Sequence, residues 1–189
     1  MPYRIILDAG HGGFDSGAVY RGRKEKDDSL RLVLEVGDRL VQHGLQVAYT
    51  RTTDVYRNAN DRIHIANHSN ADLFVSLHRN SSPYPNTYRG VETLVYNIGD
   101  EKEVFANQIN YALSQVGFRN LGINQRQDVP VLKYTNMTAI IVEVGYIHSN
   151  CDNDIFDDYF DEVASAIVTG ILKSVNEPES MSCSSCEIT

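Results

Sequence analysis

At 189 residues with 42% apolar content, the chain is sized for one compact domain whose core needs no disulfide support. A formal net charge of −8 opposes the phosphate contacts on which non-specific nucleic-acid affinity rests, which removes nucleic acid as a partner class. No run approaches the roughly 18 apolar residues of a membrane span, and no basic stretch followed by a long apolar one opens the chain, so neither a span nor an export segment is expected.

Tyr3–Asp8 is a short apolar run closed by Ala9-Gly10-His11-Gly12-Gly13, the pattern of a buried strand entering a flexible loop. From Asp27, the residues Leu30, Val33, Leu34, Gly37, Leu40 and Val41 recur at three- and four-residue steps, which predicts a one-faced helix ending at His43-Gly44. Leu45–Thr50 reads as a second strand, Asp61–Ser69 as a helix, and Leu73–His78 as a third strand after the turn Asn70-Ala71-Asp72. Val91–Tyr96 is a further strand. Phe105, Ile109, Ala112, Leu113 and Val116 form a helix stripe, Ala139–Val144 is the last strand, and a final helix runs through Phe160, Val163, Ala164, Ile167 and Ile171. Alternation of this kind predicts a three-layer α/β sandwich, with a twisted, mostly parallel (mixed) sheet of about six strands between helices. The domain is expected over 1–176. Pro178 and the Ser-rich residues after it make 177–189 a flexible tail or the start of a linker, and within it Cys183 and Cys186 lack the second ligand pair of a metal site.

In such sheets, sites gather beyond the carboxyl ends of the strands. His11 follows the first strand, His78 ends the third, Glu143 lies near the end of the last, and Glu25 opens the first long helix on the same rim. Two imidazoles and one carboxylate are a usual catalytic zinc set, with a fourth position left for water. A further carboxylate is then wanted as base. Glu143 sits in the apolar run Ala139-Ile140-Ile141-Val142, where an ionisable group is costly to bury without a partner or a task.

Other readings stay open on the residues alone. Each histidine could be a hydrogen-bonded structural residue, and Glu25, within Arg23-Lys24-Glu25-Lys26-Asp27-Asp28, a solvated charge at a helix start. His64 and His68 are spaced four apart on a predicted helix, but Ile65 stands where a zinc protease carries Glu, and no third ligand is near. The glycines around His11 fit neither nucleotide-binding fingerprint, and no Gly-x-Ser-x-Gly elbow occurs.

Taken in order, Leu7-Asp8-Ala9-Gly10-His11-Gly12-Gly13, Glu25-Lys26-Asp27, Thr50-Arg51, Ala71 through His78 with Asn80, and Glu143-Val144-Gly145-Tyr146 resemble the zinc-dependent N-acetylmuramoyl-L-alanine amidases of the Amidase_3 type. The similarity spans about Arg4 to Leu172. It implies hydrolysis of the amide between N-acetylmuramic acid and the L-alanine of the stem peptide in bacterial peptidoglycan. It further implies one Zn2+ per chain held by His11, Glu25 and His78, with Glu143 as general base. Asn80 and Asn136 match positions lining the family cleft.

Two departures from the family pattern stand out. Arg79 occupies a position usually held by a small residue, where it would reach an acidic stem-peptide group or point to solvent. His148 is inserted before Ser149-Asn150, which makes it a candidate substrate contact. Only Ser81–Arg89 separates the third strand from the next, too short for a plugging helix of the kind some relatives carry, so an open cleft is expected. The alternatives kept are a catalytically weak wall-binding module and a metal hydrolase of another amide. The expected place of action is the cell wall outside the membrane, reached as a phage lytic enzyme or as the excised domain of a secreted protein. A cell-wall-binding domain outside this chain is compatible with either.

Overall fold

The computed structural model describes residues 3–176. Six strands form one sheet: β1 (Arg4–Ala9), β4 (Gln46–Tyr49), β5 (Leu73–Asn80), β6 (Val91–Val95), β7 (Asn120–Gln125) and β8 (Thr138–Tyr146), in the order β4-β1-β5-β8-β6-β7. Pairing is parallel throughout except between β6 and β8. The mixed six-stranded sheet flanked by helices is the architecture expected from the sequence. Two-residue strands β2 (Val19–Tyr20) and β3 (Arg23–Lys24) make a separate small hairpin. The tail expected over 177–189, with Cys183 and Cys186, lies outside the described residues.

The larger core joins Ile5, Leu7, Leu77 and Val142 to Leu32, Ile109 and Ile167, which come from α1 (Glu25–Gln42), α3 (Asp100–Val116) and α6 (Phe160–Asn176). The α1 stripe is rotated slightly from the sequence reading. Leu32, Val33, Val36 and Leu40 are buried, whereas Val41 is exposed, because the face that meets the sheet centres on the 29-33-36-40 line. A smaller core on the opposite sheet face joins Ile6, Phe74, Leu94 and Ile141 to Ala66, Val131 and Leu132, from α2 (Ala59–Asn67) and α4 (Pro130–Tyr134). A further helix, α5 (Asn150–Asp158), brings Phe156 to the larger core. Among the described residues, no helix is long and apolar enough to cross a membrane.

The small face positions the site. Its helices have only nine and five residues, and the apolar side chains they pack against belong to the rows Ile6-Phe74-Ala139 and Ile141-Leu94. Two residues further along, in register and on the same face, stand His78, Glu143 and Glu92. The sheet thus turns from apolar to ionisable where helical cover ends.

Candidate metal centre

Three donors come together at that end of the sheet. His11 leaves β1 in a loop, Glu25 is the first residue of α1, and His78 lies on β5. One ligand atom from each falls within 4.8 Å of the others, and among the described residues this is the group of His, Cys, Asp or Glu side chains able to hold a metal. Glu25 Oε2 is 3.1 Å from His11 Nε2, and its Oε1 is 2.8 Å from His78 Nδ1. Tetrahedral zinc with bonds of about 2.1 Å needs donors about 3.4 Å apart, a spacing of the order that these three side chains offer.

The surroundings aim these donors. Asp15 Oδ2 lies 2.9 Å from His11 Nδ1, which fixes the ring and leaves Nε2 facing Glu25. His11 itself has φ 59, a conformation that costs a side-chain-bearing residue about 1 kcal/mol or more and must be held from outside. Arg62 donates to the carbonyls of Ala9 and His11, and Arg51 to those of Ala9, Gly10 and Lys26, so two buried guanidinium groups grip the loop by its backbone. Arg62 is in turn paired with the buried carboxylate of Asp8, which also accepts from Thr50 and Ser76. Gly10 and Gly17 are required by close approach. A Cβ on Gly10 would lie 2.4 Å from the His78 ring, and one on Gly17, at φ +62, 2.5 Å from the His11 ring and 2.6 Å from Glu25 Oε2.

Glu143 stands beside His78 across β5 and β8, and beside Glu92 across β8 and β6. Its Oε2 is buried and has no hydrogen-bond partner among the described residues. Burial pushes its pKa up to about 7, against the pull of His78 and with help from Glu25 and Glu92. Burial alone would lower His78, but its hydrogen bond to Glu25 and that residue's charge hold it up at about 9. Burial raises Glu25, and the hydrogen bonds from His11 and His78 more than reverse this, leaving it far below the usual carboxylate range.

These shifts set the pH response of chelator-treated protein. His78 is raised on folding, so its stabilisation is complete below about 6.5 and is lost as pH rises through about 9. Glu143 is raised by burial, so the fold favours its protonated form and loses stability as pH rises from about 4.5 to about 7. Both act in one direction. The midpoint of thermal unfolding, followed by circular dichroism in EDTA, is expected to fall by several degrees between pH 6 and 9, and saturating zinc to reverse the trend because deprotonated histidines bind it. A metal-free midpoint that rises over this range would contradict the assigned network.

The remaining sequence candidates divide. Asn80 borders the cleft, with Nδ2 bonded to Glu92 Oε1 at 2.5 Å. Asn136 is exposed, its backbone N–H bonded to Asn67 Oδ1, and is not among the cleft-lining residues. His148 packs against Tyr20 with ring centroids 5.4 Å apart, and its Nδ1 is buried without a partner among the described residues. Arg79 requires correction: its guanidinium reaches neither substrate space nor solvent. Strand alternation sends it to the face opposite His78, where it pairs with Asp28, bonds Asn153 and lies over the Phe156 ring at 4.2 Å. His64 and His68 stack at 4.2 Å with no third donor among the described residues. Residues 81–90 form no helix. Asp15, Arg62 and Glu92 were missed. A carboxylate four residues from His11 was the available signal for Asp15.

The family model for N-acetylmuramoyl-L-alanine amidase matches residues 5–173. An endolysin of Bacillus phage SPP1 is 35% identical over 183 residues, covering 93% of this chain and 67% of its own. The germination-specific N-acetylmuramoyl-L-alanine amidase of Bacillus subtilis is 31% identical over 194 residues, covering 92% of this chain and 80% of its own. The crystal structure of an N-acetylmuramoyl-L-alanine amidase from Clostridium difficile 630 superposes with a TM-score of 0.88 at 32% identity, covering 94% of this chain and 99% of that one.

Proposed function

The chain belongs to the Amidase_3 family of N-acetylmuramoyl-L-alanine amidases, and on that premise we propose how its own residues carry out zinc-dependent hydrolysis of peptidoglycan. His11, Glu25 and His78 hold one zinc ion per chain, and Glu143 is the general base. The bond cut is the amide between the lactyl group of N-acetylmuramic acid and the L-alanine of the stem peptide.

The observation that carries this reading is the buried, unpartnered Oε2 of Glu143 beside a three-donor cluster. The chemistry that zinc supplies in such a set is Lewis acidity, with a water acidified toward about 7 and a carbonyl polarised. Glu143, with Oε2 free of hydrogen-bond partners among the described residues, is placed to take the proton of the attacking water and to deliver it to the leaving nitrogen of L-alanine. Asp15 keeps the His11 imidazole oriented from its other ring nitrogen, and the Arg51 and Arg62 clamps keep the His11 loop from relaxing out of its costly conformation.

Digestion of purified cell walls is expected to release new L-alanine amino termini with no increase in reducing sugars, and metal analysis to find one zinc per chain. Activity should vanish on chelation and return with zinc. Reducing ends without amino termini would point to glycan cleavage. Wall binding with no new termini would favour a binding module, and cleavage of unrelated amides at equal rates would favour a broader hydrolase. The proposed place of action is the cell wall.

A further inference from the structure

Beyond the donor cluster, the cleft carries one more charged head group. Arg126, directly after β7, lines the same cleft as His78 and Glu143, with Leu94, Val129 and Ile141 forming apolar wall between the polar groups. Arg79 also borders the cleft, but its guanidinium is buried behind the sheet, so among the described lining residues Arg126 is the cation open to solvent, with 44% of its side chain exposed. It is not a loose surface residue. Nε and Nη2 each donate to the Asp128 carboxylate at 2.9 Å, its backbone N–H is tied to Val95 O, and Nη1 has no partner among the described residues.

An exposed pair such as Arg126 with Asp128 contributes little to stability, so stability alone gives no reason for the fork to be fixed there. The charge distribution does. Glu143 lines the same cleft and Glu92 faces it across the sheet, so away from the metal donors Arg126 is the lining side chain whose charge attracts an anionic substrate group. The guanidinium is already oriented by Asp128, so binding through Nη1 loses little side-chain freedom.

Resting on the amidase reading, we infer that Arg126 is a specificity-determining residue that receives a free carboxylate of the stem peptide while the scissile amide lies at the donor cluster. The ligand class is a peptide α-carboxylate on the leaving side of the bond that is cut. Peptides in which that group is amidated lose the contact, so the enzyme discriminates between amidated and free-acid walls.

The test compares zinc-loaded wild type, Arg126→Ala and Arg126→Lys on two synthetic N-acetylmuramoyl peptides. The substrates differ only in whether the residue after L-alanine bears a free α-carboxylate or a carboxamide. Wild type is expected to favour the free acid. Arg126→Ala should raise KM for it about tenfold with kcat within about twofold and abolish the preference, and Arg126→Lys should retain part of it. Equal losses on both substrates, or an unchanged KM on the free acid, overturn the inference. Wild type hydrolysing both at equal KM overturns it while leaving the amidase reading intact, and hydrolysis of neither by wild type defeats both.

Discussion

Replacing Glu143 with Gln is expected to lower kcat by about a thousandfold, equivalent to about 4 kcal/mol of transition-state stabilisation, while zinc stays bound at one ion per chain. Gln preserves the shape of the side chain but cannot accept and return a proton. The loss should not come with a loss of stability. Glu143 is half-buried, its Oε2 is buried with no partner among the described residues, and it faces Glu92 directly across the antiparallel β6–β8 pair, where like charges destabilise. Neutralising it removes that repulsion, so the unfolding midpoint of Glu143→Gln at pH 8 should equal or exceed that of wild type. Isothermal zinc titration, thermal unfolding and release of L-alanine termini together read the three quantities. Retention of full kcat would remove Glu143 from the chemistry, and loss of zinc along with activity would make it a structural support for the donors.

This combination explains why the active centre was legible in the sequence while its supports were not. His11, His78 and Glu143 stand out because each interrupts or ends an apolar strand, where a polar side chain has no packing reason to be. Glu25 stands out by opening a helix on the same rim. These signals are local. Glu92 lies in a strand that reads as ordinary alternation, and it matters only because the antiparallel register sets it against Glu143. Arg62 reads as a polar residue on a short helix, and its role exists only once that helix is laid over the β1 loop. The strand β7, Asn-Leu-Gly-Ile-Asn-Gln, escaped detection because an edge strand buries little and carries little apolar pattern. Arg79 is the opposite case: period-two alternation from His78 is enough to place it on the face away from the cleft.

Arg62→Met is expected to be the most damaging substitution remote from the proton chemistry, destabilising the protein by about 3–5 kcal/mol. Asp8 is 1% exposed, and the loss of Arg62 leaves its carboxylate with only the hydroxyls of Thr50 and Ser76. Burial raises the Asp8 pKa, while Arg62 and the two hydroxyls bring it below the usual value, so removing the guanidinium must push it up. The same substitution frees the carbonyl of His11, held at 2.7 Å, and leaves that of Ala9 to Arg51 alone, so the His11 loop loses part of its external hold. Zinc affinity should therefore fall by about tenfold, the scale seen when groups that orient ligands are removed. The two consequences separate in the double variant Arg62→Met with Asp8→Asn. Neutralising the stranded carboxylate should recover a large part of the stability by urea unfolding, yet leave zinc affinity low because the His11 carbonyl is still unheld. Recovery of both together would mean that Arg62 serves only to neutralise Asp8. Recovery of neither would place the cost in lost packing of the arginine stem rather than in its charge.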